Sequence, residues 1–198
     1  MLITLVLGVV ADLGSKWLAF ERVAGAPVKV DRQEVLAAGA GHLGDLIPPH
    51  RPVVVVPQLL EFTLVLNPGA VFGMGAGKRW IFVAFTFGAI AFGIYLFHAW
   101  TRSRDYVAHV GLGLILSGGL GNLYDRLVFA CVRDFIHPMP GVVLPFGWNW
   151  PGGDRAIWPW VSNVADLALI VGVGLMMWYT LRSGGKHPDA RSDGMKAA

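Results

Sequence analysis

Ser117-Gly118-Gly119-Leu120-Gly121-Asn122-Leu123-Tyr124-Asp125-Arg126-Leu127-Val128-Phe129-Ala130-Cys131-Val132-Arg133-Asp134-Phe135 is the stretch on which the reading of this chain turns. It closes a strongly apolar run, yet it carries an Asn, two Asp and two Arg. Ionisable groups cost about 2.5–3.5 kcal/mol each at the centre of a membrane helix, so near hydrocarbon they usually mark a functional site. The competing reading is a helix leaving the membrane, with its polar residues at headgroup level.

Composition supports a membrane setting. The 198 residues are 55% hydrophobic and only 15% charged, against about 25% charge in soluble domains, which points to a multispanning membrane protein. A single Cys, Cys131, excludes an internal disulfide framework and a Cys-rich metal site. The net charge of +3, with no long basic run, argues against nucleic acid as a partner.

Outward from the central stretch, the apolar run from His109 to Val128 is one span, and Trp80 to Trp100, bracketed by interfacial Trp, is another. Small residues four apart, Ala84/Gly88 and Ala89/Gly93, predict close helix contacts there, as does Ala168/Gly172 in a span over 161–181. Met1 to Phe20 has the roughly 20 residues needed to cross a bilayer. A signal peptide is the alternative, but no basic residue precedes the apolar run, and Asp12 and Lys16 interrupt its far end. Those two are four apart, so they can pair, either as a structural ion pair near the interface with Lys16 snorkelling or as part of a site. The chain is thus expected to be a single integral membrane domain over 1–198, all-α, with four transmembrane helices at about 1–20, 80–100, 109–128 and 161–181.

Two long connections, 21–79 and 129–160, and a tail, 182–198, complete it. Pro52 to Leu66 is β-branched and broken by Pro, and predicts one or two short strands, a small β-rich cradle at the membrane surface. Asn67-Pro68-Gly69 is a turn, followed by Ala70-Val71-Phe72-Gly73. Residues 21–50 are expected to be a surface loop, and the charged tail to be disordered. Arg102, Arg104 and the basic tail place both termini in the cytoplasm and the long connections outside, although Lys78 and Arg79 run against that rule.

Topology then brings two carboxylates together. Asp134 lies just beyond the outer end of the third span and Asp166 one turn into the fourth, at about the same depth. With Asn122 and Arg126 on one face of the third helix, and Asn163 three before Asp166, they form a polar constellation at the outer interface. Two facing carboxylates hold one proton between them, so one can activate water while the other donates to a carbonyl, as in aspartic proteases. Asn163 can equally cap its helix, with Asp166 at the third position, a purely structural role compatible with catalysis. Arg126 could pair with Asp125 or brace the loop. A small proton-coupled transporter using the Asp pair is the alternative function, but it calls for polar residues through the bilayer, and the second span has none. Ser15 and Lys16 are neighbours on different faces, which disfavours a Ser/Lys hydrolase, and no His pattern supports a metal.

The ordered blocks DLGSK (Asp12–Lys16), NPGAVFG (Asn67–Gly73), SGGLGNLYDR (Ser117–Arg126), VRDF (Val132–Phe135) and NVAD (Asn163–Asp166) resemble lipoprotein signal peptidase, the signal peptidase II family. The resemblance runs from the first span to the fourth, excluding the tail and the inner parts of both outer loops. It implies a bacterial inner-membrane aspartyl protease that cuts prolipoprotein signal peptides before a diacylglyceryl-modified Cys. It implies Asp134 and Asp166 as the catalytic pair. Asn122, Arg126 and Asn163 take the positions of its supporting shell, with Gly121 and Asp125 in the same block; Asn67 matches its substrate cradle and Asp12 a supporting acid. Membrane lipid and prolipoprotein are the implied partners, with no cofactor, and a monomer is expected. The chain departs from the family in Ser117 and Leu120 around the glycines, in Leu13, and in Ser162, which could alter packing beside Asp166. The Trp-rich segment Trp148 to Trp160 is expected to be a membrane-dipping lip.

Overall fold

The computed structural model describes residues 1–69 and 79–183, and is mostly helical with one small sheet. Its helices are α1 (Leu2–Arg22), α2 (Arg32–Ala38), α3 (Arg79–Trp100), α4 (Tyr106–Val128) and α5 (Val164–Ser183), and its strands β1 (Val53–Val56), β2 (Leu60–Asn67) and β3 (Val132–Pro138). Among the described residues three helices, α1, α4 and α5, are long and apolar enough to cross a membrane, and Val83–Ala99 within α3 is a shorter apolar helix. Ala70 to Gly73 and nearly all of the tail lie outside the described residues.

The helix α4 is the central post, packing against α1, α3 and α5. Glycines allow its close approaches. A Cβ on Gly111 would stand 3.1 Å from the Gly172 carbonyl oxygen, so α4 and α5 meet backbone to backbone, as the Ala168/Gly172 pair implied. Gly93 faces Leu116, but Gly88 meets nothing among the described residues, so the expected Ala84/Gly88 contact is not made there.

Above this post the chain builds an antiparallel sheet in the order β1-β2-β3. Two strands are present where one or two were expected, and β3 adds a third within the connection 129–160. An extra residue in β2 between Phe62 and Val65, opposite Ile136 to Asp134, makes a bulge that re-aims the strand beside Asp134. The surface loop expected over 21–50 contains α2, whose start is capped by Asp31: its side chain accepts from the Gln33 and Glu34 backbone N–H groups. Val35 of α2, Leu43, Leu64, Leu66, Phe135 and the last turn of α1 (Ala19, Phe20, Val23) form a buried core that seats the sheet on α1.

The far edge of β3 does not end in solvent. Phe135 and Ile136 donate their N–H groups to the Ser162 carbonyl, and Ser162 N–H returns to Ile136, at 2.8–2.9 Å. This segment occupies Val161 to Asn163, so α5 starts at Val164 rather than at Val161, and α4 starts at Tyr106, three residues before the expected boundary.

Candidate active site

Ser162 and β3 together explain why Asp134 and Asp166 converge. The Ser162 bridge holds the residue before α5 against the strand that carries Asp134, and Asn163 follows as the helix N-cap. Asn163 and Asp166 cap each other: the Asp166 N–H donates to Asn163 Oδ1 at 3.1 Å, and the Asn163 N–H donates to Asp166 Oδ2 at 3.2 Å. The free amide nitrogen of Asn163 then donates to Asp134 Oδ1. One asparagine therefore ties the two carboxylates into a single network.

The other amides complete it. Asn67 turns its Oδ1 to the Gly69 N–H at 2.8 Å, leaving Nδ2 to donate to Asp134 Oδ2 at 3.0 Å. Asn122 Nδ2 donates to Asp166 Oδ1 at 2.8 Å, while its Oδ1 accepts from Asn163 and from Lys16 Nζ. An ammonium can only donate, so Lys16 at 3.0 Å fixes which way the Asn122 amide points. Asp134 is 1% exposed, whereas Asp166 is half-buried. Burial, reinforced by the neighbouring Asp166 charge and opposed by the Asn67 and Asn163 hydrogen bonds, pushes the Asp134 carboxyl up to about 7.

Lys16 does not snorkel: it is wholly buried, 2.8 Å from Asp12 Oδ2 and 3.4 Å from Asp125. Its role is what the sequence pattern failed to assign, although a lysine inside an apolar run was itself the signal. Asp12 passes its other oxygen to the Ala165 N–H at 2.9 Å, anchoring the first turn of α5 to α1. Gly121 makes room for this, since a Cβ there would lie 3.0 Å from Asp12 Cγ and nearer still to its Oδ2. Asp125 pairs not with Arg126 but with Arg133, at 2.8 Å to the guanidinium and 3.0 Å to the backbone N–H. It touches neither dyad carboxylate; it holds the start of β3 against α4, with Arg133 stacked 4.1 Å over Phe129. Arg126 donates to the Asn122 carbonyl at 3.1 Å and lies close enough to Asp166 and Asp134 to feel their charges.

The sequence-expected residues thus divide into two groups. Asp134, Asp166, Asn122, Asn163 and Asn67 form one hydrogen-bonded unit. Asp12, Gly121, Asp125 and Arg126 surround it and reach it through Lys16, the α5 backbone or Asn122. Among the described residues, the arrangement is two carboxylates whose hydrogen-bond partners are all donors, with Asp166 half-buried.

Residues 4–182 match the family model described as signal peptidase (SPase) II. The lipoprotein signal peptidase of Desulfitobacterium hafniense (strain DSM 10664 / DCB-2) is 38% identical over 144 residues, covering 73% of this chain and 80% of that protein. The lipoprotein signal peptidase of Bacillus subtilis (strain 168) is 33% identical over the same length and coverage. A bacterial membrane enzyme solved by the in meso method at 2.3 Å shares the fold, with a TM-score of 0.64 at 23% identity over 96% of this chain and 92% of that one.

Proposed function

The chain belongs to the signal peptidase II family, a family of lipoprotein-processing proteases, and we propose that it is an aspartic endopeptidase whose catalytic pair is Asp134 and Asp166. The observation that carries the mechanism is Asn163, which bonds one carboxylate through its side chain and the other through its backbone and so ties the two into one network.

The roles follow from the surroundings. In this reading Asp134, buried in β3, is the proton donor, and Asp166, half-buried and hydrogen-bonded by Asn122, is the general base. Asp166 takes a proton from a water whose oxygen attacks the scissile carbonyl carbon, while Asp134 gives its proton to the carbonyl oxygen. The resulting gem-diol returns one hydroxyl proton to Asp134 as the C–N bond breaks, and Asp166 gives its proton to the leaving amine. Both carboxyls end as they began.

The substrate is a prolipoprotein carrying a diacylglyceryl-modified Cys, cut immediately before that residue. The setting is a bacterial inner membrane crossed four times by a monomer, with both termini cytoplasmic and the dyad at the outer face. Long α3 and the basic residues Arg102 and Arg104 in the α3–α4 connection support this topology. The scissile bond of a lipid-anchored peptide would sit at that boundary.

The test is cleavage of diacylglyceryl-modified prolipoprotein by wild type, Asp134→Asn and Asp166→Asn in nanodiscs. Each substitution keeps the shape of the side chain and removes its titratable group. Both variants are expected to fold and to lose turnover by a factor of at least about 10³, the scale at which general acid–base catalysis disappears. Substantial turnover by either folded variant rules out the dyad.

A further inference from the structure

Between the two carboxylates the chain makes an excursion that the dyad network does not use. Residues 139–161 leave β3 and return to Ser162, so their roots are the strand of Asp134 and the cap of Asp166's helix. The excursion is a narrow antiparallel ribbon: Val143 bridges Ala156, Leu144 N–H donates to the Arg155 carbonyl at 2.8 Å, and Ile157 N–H donates to Val142 at 2.7 Å. Three tryptophans stiffen it, Trp150 edge-on to Trp160 at 4.8 Å and Trp158 to Trp160 at 6.0 Å, and Trp150 Nε1 donates to the Ala156 carbonyl.

The tip faces the other way. Phe146 is 89% exposed and Trp148 66%, with their rings 5.9 Å apart. Phe146 is held out by a backbone φ of +59°, a conformation that bulky residues rarely adopt. A strained backbone that presents a phenyl ring to the outside, on a ribbon braced by hydrogen bonds, is built for contact with something apolar.

We propose that this ribbon is a membrane-interface anchor, with Phe146 and Trp148 seated at the boundary between headgroups and acyl chains. What identifies a lipid surface as the occupant is continuity. Val164 begins α5 two residues after the ribbon ends at Ser162, and the apolar flank of α5 (Ile170, Val171) is exposed over a helix long enough to cross a membrane. On the other side the Met139 N–H donates to the Leu59 carbonyl, joining the ribbon to the β1–β2 turn, where Leu59 and all four valines of β1 are exposed. Exposed apolar groups therefore stand on the hairpin at one root of the ribbon, at its tip, and on the helix long enough to cross a membrane at its other root. Aromatic rings at such a level are the usual interfacial anchors. Because both roots of the ribbon carry dyad elements, seating its tip sets the depth at which Asp134 and Asp166 meet a substrate.

The test is independent of the catalytic reading. Phe146→Cys is labelled with the environment-sensitive fluorophore NBD and placed one copy per nanodisc of phosphatidylethanolamine and phosphatidylglycerol, with or without chains brominated near the ester. Cys131, 1% exposed and with its thiol pushed by burial up to about 12, is left unlabelled. Trp148→Cys serves as a second position. Blue-shifted emission and at least twofold quenching by brominated lipid are expected at both. Emission like that of the free dye in water, without quenching, overturns the proposal and assigns the patch to a soluble protein or a second copy. In the activity arm, Phe146→Ser/Trp148→Ser raises KM for bilayer-embedded substrate about tenfold while leaving detergent-solubilised substrate unaffected. Loss on both substrates would count against a depth-setting role even if the label is quenched.

Discussion

Replacing Gly121 by Ala should separate the two helices that hold the dyad in place. The new Cβ would stand 3.0 Å from Asp12 Cγ, where carbon atoms prefer about 3.5–4.0 Å, and still closer to Oδ2, the oxygen bonded by Lys16. Neither end of Asp12 is free to yield, because Oδ1 accepts from the Ala165 N–H and Oδ2 is held by Lys16. Relief therefore requires α1 to back away from α4 by about 0.5–1 Å. Overpacking of this kind costs about 1–3 kcal/mol, and weakening a hydrogen bond to a charged group a further 1.5–3, so about 2.5–6 kcal/mol together. At about 2–4 °C per kcal/mol, the unfolding temperature in detergent should fall by roughly 10 °C. Turnover should fall more steeply than stability implies. Ala165 is the residue before Asp166, and a displacement of about 1 Å at a reacting group costs around 10² in rate. The assay is thermal unfolding followed by tryptophan fluorescence, paired with prolipoprotein cleavage well below the midpoint. Gly88→Ala, which meets nothing among the described residues, is the control and should change neither. Wild-type stability and turnover in Gly121→Ala would refute the claim that Asp12 transmits position from α1 to the dyad.

Cleavage should decline as pH rises through about 7, because Asp134 loses the proton it donates, and folded stability should fall as pH rises from about 4 to about 7, because the folded carboxyl binds a proton that the unfolded one has released. In Asp166→Asn the neighbouring charge is gone, so the protonated-carboxyl infrared band of Asp134 should vanish at lower pH than in wild type; an unchanged midpoint would refute the coupling. Lys16→Met should cost about 3–5 kcal/mol by leaving buried Asp12 and part of Asp125 uncompensated, read as a drop in the detergent unfolding midpoint, and a midpoint within the error of wild type would show that the lysine is dispensable.

Much of the site was legible because its parts lie in short, locally readable units. Asn163 and Asp166 are an N-cap and its third helical position, a spacing visible without any fold, and the structure uses it for both capping and joining the carboxylates. The convergence of Asp134 on Asp166 followed from spans alone, since consecutive helices end and begin on one side. What was not legible depends on pairings between distant residues. The third strand reads as loop because VRDFIHP carries charge where a strand would alternate, and its pairing is decided by β2, more than sixty residues earlier, and by the Ser162 segment. Of the two roles open to Arg126, pairing with Asp125 fails because helix geometry points adjacent residues apart, and β3 delivers Arg133 to Asp125 instead. The short α2 was overlooked although Asp31 and Glu34 bracket its first turn, because the surrounding Pro and Gly outweighed one cap.

Lys16 shows why the misses were coupled. Treated as a snorkelling residue it belongs to the interface, and buried Asp12 is left without its cation. Placed where it is, four carboxylates (Asp12, Asp125, Asp134, Asp166) face three cations (Lys16, Arg126, Arg133) within one largely buried network. Low-dielectric surroundings penalise the unbalanced negative charge, and a single proton removes it. At Asp134 burial and a neighbouring carboxylate act together, and they push the carboxyl up to about 7. On the proposed aspartic mechanism, the charge balance of α1, α4 and β3 would favour the singly protonated pair before any substrate arrives.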